Sequence, residues 1–148
     1  MTALAARTQR QFALHTANFI PLPAAANAVI FVGALVATNS SGLAVPAADT
    51  SGFTVQGICR RTAIDNTGGS AGSLGSSPSA LDAVRYVEVD AHGEWEFAVS
   101  AGTPKPGTAA FVVDDNTVSA SATTNSIVAG KFTRPASANS WFVDVERR

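Results

Sequence analysis

The stretch GTAAFVVDDNTVSASATTNSIVAGKFTRPASANSWFVDVERR, residues 107–148, decides the fold class because its apolar residues recur with the period of a β-strand. Ala109, Phe111 and Val113 fall on one side of an extended segment, and residues 114–116 (Asp-Asp-Asn) tolerate a tight reversal. A second alternation closes the chain and sets apolar residues against a mainly charged set: Trp141, Val143 and Val145 against Phe142, Asp144 and Glu146. The stretch therefore predicts successive strands with a C-terminus tied into a sheet.

Composition narrows the classes of function. The chain has 148 residues, of which 14% are charged, and its formal net charge is −1. Such a surface has little attraction for nucleic acid or anionic membranes, and its ten basic residues are scattered along the sequence. Low net charge also removes the repulsion that keeps copies apart. We expect no nucleic-acid partner, and a surface that is covered by another protein.

The most apolar stretch is AAANAVIFVGALVA, residues 24–37. It is shorter than the ~20 residues that a membrane-spanning helix needs, and Asn27 and Gly33 interrupt it. The aliphatic and aromatic residues within it are typical of a buried strand. We therefore predict a buried strand over Ala28–Ala37 and no membrane partner.

The N-terminal segment, residues 1–27, has no regular period, and Pro21 and Pro23 disfavour a continuous helix. It nevertheless carries large apolar residues, which predict an extended arm that is draped over the core or docked on another chain. Four of them are candidate partner-binding residues: Phe12, Leu14, Phe19 and Ile20.

Residues 28–148 are predicted to form a single β domain. Turn-forming residues separate its apolar runs, and the Gly/Ser-rich stretch DNTGGSAGSLGSSPS, residues 65–79, predicts a flexible loop over about 65–80. That stretch lacks the lysine and the following helix of a phosphate-binding loop. The predicted fold class is all-β, a compact β-barrel or β-sandwich with an extended N-terminal arm and a Gly/Ser-rich loop.

Residues 84–99, VRYVEVDAHGEWEFAV, read as a β-hairpin with Ala91-His92-Gly93 as its connection. The hairpin places four carboxylates on one face: Glu88, Asp90, Glu94 and Glu96. Three roles suit such a face besides that of a solvated surface: paired acid–base catalysis, a metal site with His92, or an acidic patch that faces a basic partner. We take Glu94 and Glu96 as further candidate partner-binding residues.

Other chemistry has weaker support in the sequence. Cys59 is the single cysteine and lies in the apolar run Gly57-Ile58-Cys59, so we expect a small buried thiol; the alternative is a thiol activated by the two arginines that follow it. Residues 114–116 lack the glycine and the distal glutamate of a calcium loop. We predict no cofactor, no metal site and no enzymatic activity.

Several short motifs occur in an order that resembles the small capsid decoration, or cement, proteins of tailed bacteriophages. The resemblance spans Gly33 to Glu146 and is carried by turns and strand fragments: residues 33–36 (GALV), 42–47 (GLAVPA), 56–58 (QGI), 65–72 (DNTGGSAG), 111–118 (FVVDDNTV) and 127–131 (IVAGK), with a closing strand that contains Trp141. Each motif is weakly specific, and their shared order carries the resemblance.

The resemblance implies a β-rich virion protein, commonly a homotrimer, that binds the outer surface of an expanded phage head and reinforces it against the pressure of packaged DNA. Its implied partners are the major capsid protein and other copies of itself, and the family has no catalytic residues. An alternative function is a β-rich fibre or spike module that binds carbohydrate or a cell surface, with Trp95 or Trp141 as the aromatic platform. A hydrolase that uses the carboxylates of residues 88–96 is the third hypothesis.

Overall fold

A computed structural model of the chain describes residues 12–14, 19–60, 63–69, 71 and 86–146. Within this part of the chain the secondary structure consists of strands, and no helix occurs. The strands are β1 (Phe12–Leu14), β2 (Phe19–Pro23), β3 (Val29–Ile30), β4 (Leu35–Thr38), β5 (Ala44–Pro46), β6 (Thr54–Cys59), β7 (Ile64–Asp65), β8 (Tyr86–Asp90), β9 (His92–Val99), β10 (Ala109–Val112), β11 (Thr117–Ser119), β12 (Val128–Ser137) and β13 (Ser140–Glu146). The all-β prediction is confirmed.

Five strands close into a barrel in the order β9–β11–β10–β12–β13, because β13 also pairs with β9. All of these pairs are antiparallel except β11 with β9. Closure satisfies the backbone hydrogen bonds that an open sheet leaves free at its two edges. The predicted barrel is therefore present, and the predicted C-terminal strand forms part of its wall.

A second sheet has the order β2–β8–β6–β4–β5. Its two ends approach each other just after β2, where Ala24 forms an isolated bridge with Ala44 and the Ala25 amide donates to the Ala44 carbonyl. β3 pairs with β7 as a separate two-stranded ribbon.

Two buried clusters fill the molecule. The first core joins the barrel interior to one side of the second sheet: Leu35, Ala37, Ala47, Val55, Ile58, Trp95, Phe97, Ala110, Val112, Val118, Ala129, Phe132, Val143 and Val145. The second core lies within the second sheet: Leu22, Ala24, Ile30, Ala34, Val36, Ala44, Cys59, Ile64, Val87 and Val89. Leu35 and Ala37 of β4 enter the first core and Val36 enters the second, which explains why this strand is buried on both sides.

The predicted hairpin over residues 84–99 is wrong. β8 and β9 do not pair with each other. The chain passes from the second sheet into the barrel at the buried residue Ala91, two positions before Gly93 with its φ of 139°. The reason lies in the two cores, since Val87 and Val89 fill the second core while Trp95 and Phe97 fill the first. A hairpin would have placed all four side chains in the same core.

The predicted strand over Ala28–Ala37 is also divided. β3 and β4 occupy parts of it, but a turn that contains Gly33, with a φ of 87°, separates them and places them in different sheets.

The turn at residues 114–116 is confirmed, because the Asp114 carboxylate accepts a hydrogen bond from the Asn116 amide at 2.9 Å. Of the predicted loop, residues 65–69 and 71 are described and the others lie outside the described residues.

The predicted arm, residues 1–27, contributes two strands. β1 runs antiparallel to β9, with Phe12 opposite Trp95 and Leu14 opposite Glu94, and β2 runs antiparallel to β8, with Phe19 opposite Asp90. β1 and β2 thus pair with strands of different sheets, and residues 1–11 and 15–18 of the predicted arm lie outside the described residues. Beyond β2, residues Ala24, Ala25 and Ala28 are buried.

Candidate interaction surfaces

The outside of the barrel carries a charged face formed by three neighbouring strands. On β9 and β13, Glu94 lies opposite Asp144 and His92 opposite Glu146. Residues that oppose each other in an antiparallel pair project to the same side of the sheet. Adding the outward positions of β12 gives the set that we call the charged face: His92, Glu94, Glu96, Lys131, Arg134, Phe142, Asp144 and Glu146.

Internal contacts hold this face together. The Arg134 guanidinium lies 3.9 Å from the centroid of the Phe142 ring, and its Nη2 lies 3.9 Å from Glu94 Oε2. Although it projects from the outer side of the barrel, Phe142 is only 4% exposed. The Ser140 hydroxyl donates to Glu96 Oε1 at 2.6 Å and lies 2.7 Å from the Ser137 hydroxyl. Glu94 and Glu96, the two predicted partner-binding carboxylates, therefore each contact another side chain of the same molecule.

Negative charge predominates on the charged face, where four carboxylates accompany one lysine and one arginine. Partial burial raises the pKa of the Asp144 carboxyl above its ordinary value, and the negative charges of Glu146 and Glu94 raise it further, while His92 and Lys131 act against this. The face is thus one on which carboxylates repel each other and on which a basic partner would relieve the repulsion.

The next part of the barrel wall carries an apolar face. In β10, Ala110 and Val112 are buried in the first core, so the residues between and beside them project outward. Val128 of β12 lies opposite Phe111 and adds to them. We call the resulting set the apolar face: Ala109, Phe111, Val113 and Val128, all half-buried and all outside both cores.

A groove of about 220 Å³ adjoins the apolar face and shares Val128 with it. Its walls come from the start of β6 and from the segment that leads into β12: Phe53, Thr54, Val55, Ser126, Ile127 and Val128. Asp49 fixes that second wall, since its carboxylate accepts hydrogen bonds from the Thr123 hydroxyl and the Asn125 amide, both at 3.0 Å. Lys131 lies opposite both Ala109 and Asp144, so the apolar and charged faces meet along β12.

The structure brings some of the predicted partner-binding residues together. Leu14 lies opposite Glu94 in the β1–β9 pair, which places the N-terminal segment beside the charged face. Phe12 is two positions away in the same strand, whereas Phe19 and Ile20 belong to β2 in the other sheet. Ile20 is half-buried and packs against the second core. A role in partner binding stays a prediction for all six residues.

The expected face of four carboxylates does not form. Because β8 and β9 belong to different sheets, Glu88 and Asp90 are separated from Glu94 and Glu96. Asp90 is 4% exposed, and its Oδ1 lies 3.4 Å from Arg60 Nη1. This carboxylate therefore takes part in an ion pair at the point where the chain changes sheets.

The two tryptophans have different surroundings. Trp95 belongs to the first core. Trp141 is half-buried and meets Phe132 edge to face, with ring centroids 5.9 Å apart. It lines a shallow depression of about 150 Å³ together with Ser100, Pro104 and Asn139 among others. Of the two candidate platforms, Trp141 is the one that borders an accessible recess.

Cys59 is buried in the second core, as predicted. Burial, and secondarily the negative charge of Glu88, raises the pKa of its thiol to about 12. The alternative of a thiol activated by neighbouring arginines is therefore wrong, since activation requires a lowered pKa and burial raises the pKa of this thiol.

Sequence reasoning missed the apolar face and half of the charged face. The alternation at the C-terminus had separated Phe142, Asp144 and Glu146 from the core residues, but it did not show that β9 is their neighbour. That adjacency joins residues about fifty positions apart and follows from barrel closure. Phe111 had been placed on one side of its strand, with no indication that this side faces outward.

Comparisons with protein-family models, with curated proteins and with solved structures found no match to this chain. Among the residues that the structure describes, no three or more His, Cys, Asp and Glu side chains are grouped as a metal site. The same part of the chain holds no helix of the length and apolarity that crossing a membrane requires.

Proposed function

We propose that this chain is a structural virion protein that binds the outer surface of a phage capsid and stabilises the expanded head. The observation that carries the proposal is the division of one barrel wall into an apolar face and a charged face. Both are built on paired strands rather than on loops, which is a suitable basis for fixed contacts with neighbouring proteins. The order of the motifs that resemble decoration proteins also supports it.

The two faces suit different parts of a docking reaction. Covering the apolar face releases water from apolar surface, and a fully buried Phe or Val side chain contributes about 1.5–3 kcal/mol. The charged face contributes orientation, because opposite charges favour one register more than they add affinity. Glu94 and Glu96 are the predicted contacts to a basic surface of the major capsid protein.

A homotrimer would strengthen weak contacts by multiplying them. Linked subunits engage neighbouring shell proteins at a high effective concentration, so a modest affinity for each subunit is sufficient. The net charge of −1 presents little repulsion to the assembly of copies. On this proposal the protein is made in the host cytoplasm and becomes part of the outer capsid surface.

The direct test is co-sedimentation of the purified protein with empty, expanded heads of its phage, together with its oligomeric state by light scattering. We expect saturable binding by an oligomer and greater resistance of decorated heads to heat. A monomer that stays in the supernatant at all concentrations would overturn the proposal.

The contribution of the N-terminal segment needs a deletion that spares the domain. Removing residues 1–27 would delete β2 and the buried residues Leu22, Ala24 and Ala25, so lost binding would reflect unfolding. Removing residues 1–18 leaves β2 in place and deletes two predicted contacts, Phe12 and Leu14, with the strand β1 that lies beside Glu94. We expect reduced capsid occupancy with an unchanged circular dichroism spectrum. Equal occupancy would exclude this segment from the binding mechanism.

A second function, carbohydrate or cell-surface binding, is favoured by the recess beside Trp141. Sugar rings bind at sites where an indole lies next to polar groups, as Trp141 lies next to those of Ser100 and Asn139. Titrating oligosaccharides while following tryptophan fluorescence tests it, with Trp141→Ala as the variant. Saturable quenching that the variant abolishes would support this function over capsid binding.

A further inference from the structure

The depression beside Trp141, which we call the Trp141 recess, lies at a mouth of the barrel. Trp141 is opposite Phe97 in the β13–β9 pair, so both side chains project to the inner side, where Phe97 is fully buried. Val99 lies two positions after Phe97 in β9, projects the same way and lines the recess. The connections at residues 100–104 and 138–139 complete its rim. Small-molecule sites occur preferentially in such mouths.

Core packing positions the Trp141 indole at the recess. Its ring meets that of Phe132 edge to face at 82°, and Phe132 is buried in the first core. Because Trp141 is half-buried, part of the indole packs on this core while the residue also lines the recess. A side chain held by packing loses less conformational entropy when a ligand binds. The recess therefore offers an aromatic surface at a defined position.

Polar groups of both kinds accompany the indole. Asn139 lines the recess, and within the described part of the chain its side-chain amide makes no hydrogen bond. An amide side chain both donates and accepts. The Ser100 hydroxyl donates to the Val118 carbonyl at 3.3 Å, which leaves the lone pairs of its oxygen as acceptors. A ligand at the recess therefore finds a donor and acceptors together.

The lining of the recess is neutral. Among the residues that the structure describes, those that line it include no Asp, Glu, Lys or Arg. Lys105 follows the lining residue Pro104, but it is exposed and does not line the recess itself. A charged group that enters loses hydration without gaining an opposite charge. The lining therefore favours an uncharged ligand.

The size of the recess limits the ligand further. Its volume of about 150 Å³ is below the ~300–1,000 Å³ of sites that enclose drug-sized molecules, so it admits one ring and leaves the rest of a larger ligand in solvent. A pyranose ring has these properties. One of its faces consists largely of C–H bonds and can pack on an indole, and each hydroxyl of its rim both donates and accepts.

We propose that the Trp141 recess binds one neutral pyranose ring of a glycan, with its C–H face on Trp141 and its hydroxyls bonded to Asn139 and Ser100. The inference rests on the second function proposed above, carbohydrate binding, and names the ligand class of that site. No residue that lines the recess belongs to the apolar face or the charged face. Sugar binding is therefore separable by mutation from contacts made through those faces.

The binding of a single ring is weak, with a dissociation constant on the order of 1 mM. Copies of the protein that are held side by side would bind a repetitive glycan more tightly than one copy does, because the second contact becomes intramolecular. The measurement must therefore detect millimolar binding at a known residue.

Nuclear magnetic resonance of isotope-labelled protein meets this requirement. The chain has two tryptophans and hence two indole N–H signals, and Trp95, buried in the first core, is the internal control. Trp141→Phe identifies the second signal. In titrations with methyl glucoside, methyl galactoside and N-acetylglucosamine to about 50 mM, we expect a saturable shift of the Trp141 signal with at least one sugar. The Trp95 signal should stay in place.

Asn139→Asp tests the hydrogen-bonding group, since it keeps the shape of the side chain and removes its donor. We expect about tenfold weaker sugar binding, the effect of one hydrogen bond, and head binding at the wild-type level. Ala136→Asp is the matched control, because Ala136 is exposed in the same β12–β13 hairpin and does not line the recess. It adds the same charge and should bind sugar as the wild type does. Equal sugar affinities of the two variants would overturn the proposal.

Charged sugars of the same ring size test the ligand class. Glucuronate and glucosamine should bind no more tightly than the neutral sugars. Tighter binding of either would overturn this inference and leave the second function standing. No shift with any sugar, or equal shifts of both indole signals, would overturn both. Co-sedimentation with heads is measured separately, so a Trp141 shift in a protein that does not bind heads supports the sugar site and counts against capsid binding.

Discussion

The charged face and the apolar face are neighbouring parts of one barrel wall, and they meet along β12 at Lys131. On the charged face, side chains have partners within the molecule: Arg134 lies over Phe142 and beside Glu94, and Ser140 donates to Glu96. On the apolar face, Phe111 and Val128 oppose each other and lie outside both cores.

The difference indicates how each face contributes to binding. A partner at the charged face must displace water from groups that already have favourable contacts, so the net gain in free energy is small. A partner at the apolar face covers apolar surface, and the gain in free energy follows the area buried. We therefore expect affinity to come from the apolar face and orientation from the charged face.

The largest expected effect is on the free energy of unfolding, because both faces require the folded domain. Asp90→Ala removes the buried partner of Arg60 where β8 passes into β9, and we expect it to lower the free energy of unfolding by about 2–4 kcal/mol, less than a fully buried pair because the Arg60 side chain is 32% exposed. Urea denaturation measures the change. Glu94→Ala is the control, since its pair with Arg134 is more exposed and should cost under about 1 kcal/mol. Equal losses in the two variants would mean that the ion pair of Arg60 with Asp90 does not stabilise the domain more than the exposed pair does.

The next effect separates binding from stability. Phe111→Asp places a charge in the centre of the apolar face, and we expect affinity for heads to fall about 10- to 100-fold, the equivalent of one lost apolar side chain. The melting temperature should change little, because Phe111 is outside both cores. Phe53→Ser is the matched control: Phe53 is also half-buried but packs against the first core, so this variant should lose stability instead. Unchanged head binding by Phe111→Asp would exclude the apolar face as a source of affinity.

A smaller effect should distinguish orientation from affinity. We expect the double variant Glu94→Gln and Glu96→Gln to reduce binding to heads only about threefold at low ionic strength and to flatten its dependence on salt. Binding measured across a series of salt concentrations gives both quantities. A loss as large as that of Phe111→Asp would reverse the roles that we assign to the two faces.

The smallest effect concerns repulsion within the charged face. Because the pKa of Asp144 is raised in the folded state, its protonated form is favoured there; the stability it provides is present below its ordinary pKa of 3.8 and is lost as pH rises through the folded value. Asp144→Asn should therefore be more stable than the wild type at neutral pH by a few tenths of a kcal/mol, as for a relieved like-charge pair. At roughly pH 3 the difference should vanish. Urea denaturation at both pH values measures it, and a variant that is less stable at neutral pH would contradict the prediction.

Particular elements show where sequence reasoning succeeded. The alternation over residues 141–146 correctly separated Trp141, Val143 and Val145 from the outward residues of β13, because neighbouring side chains of any strand point to opposite sides. The turn at residues 114–116 was also correct, since an aspartate side chain can accept a hydrogen bond from an amide two residues ahead. The burial of Cys59 followed from its apolar neighbours.

Other elements show where it failed. Residues 84–99 had the composition of a hairpin, but the partner of each strand lies elsewhere: β2 pairs with β8, while β1 and β13 pair with β9. The apolar run at residues 28–37 was taken as one strand, although its two halves enter different sheets. In the first case the strands were correct and their pairing was not; in the second case the turn at Gly33 was missed.

The amino-acid sequence by itself determined that this chain is all-β, where the turn at residues 114–116 falls, and that its surface carries little charge, because these properties depend on residues within a few positions of each other. Only the tertiary structure decided which strands are neighbours, and with that decision came the barrel, the crossing at Ala91 and the two faces on either side of β12. Strand pairing is set by which arrangement buries the apolar sides of all strands at once, and that choice depends on contacts between residues far apart in the chain.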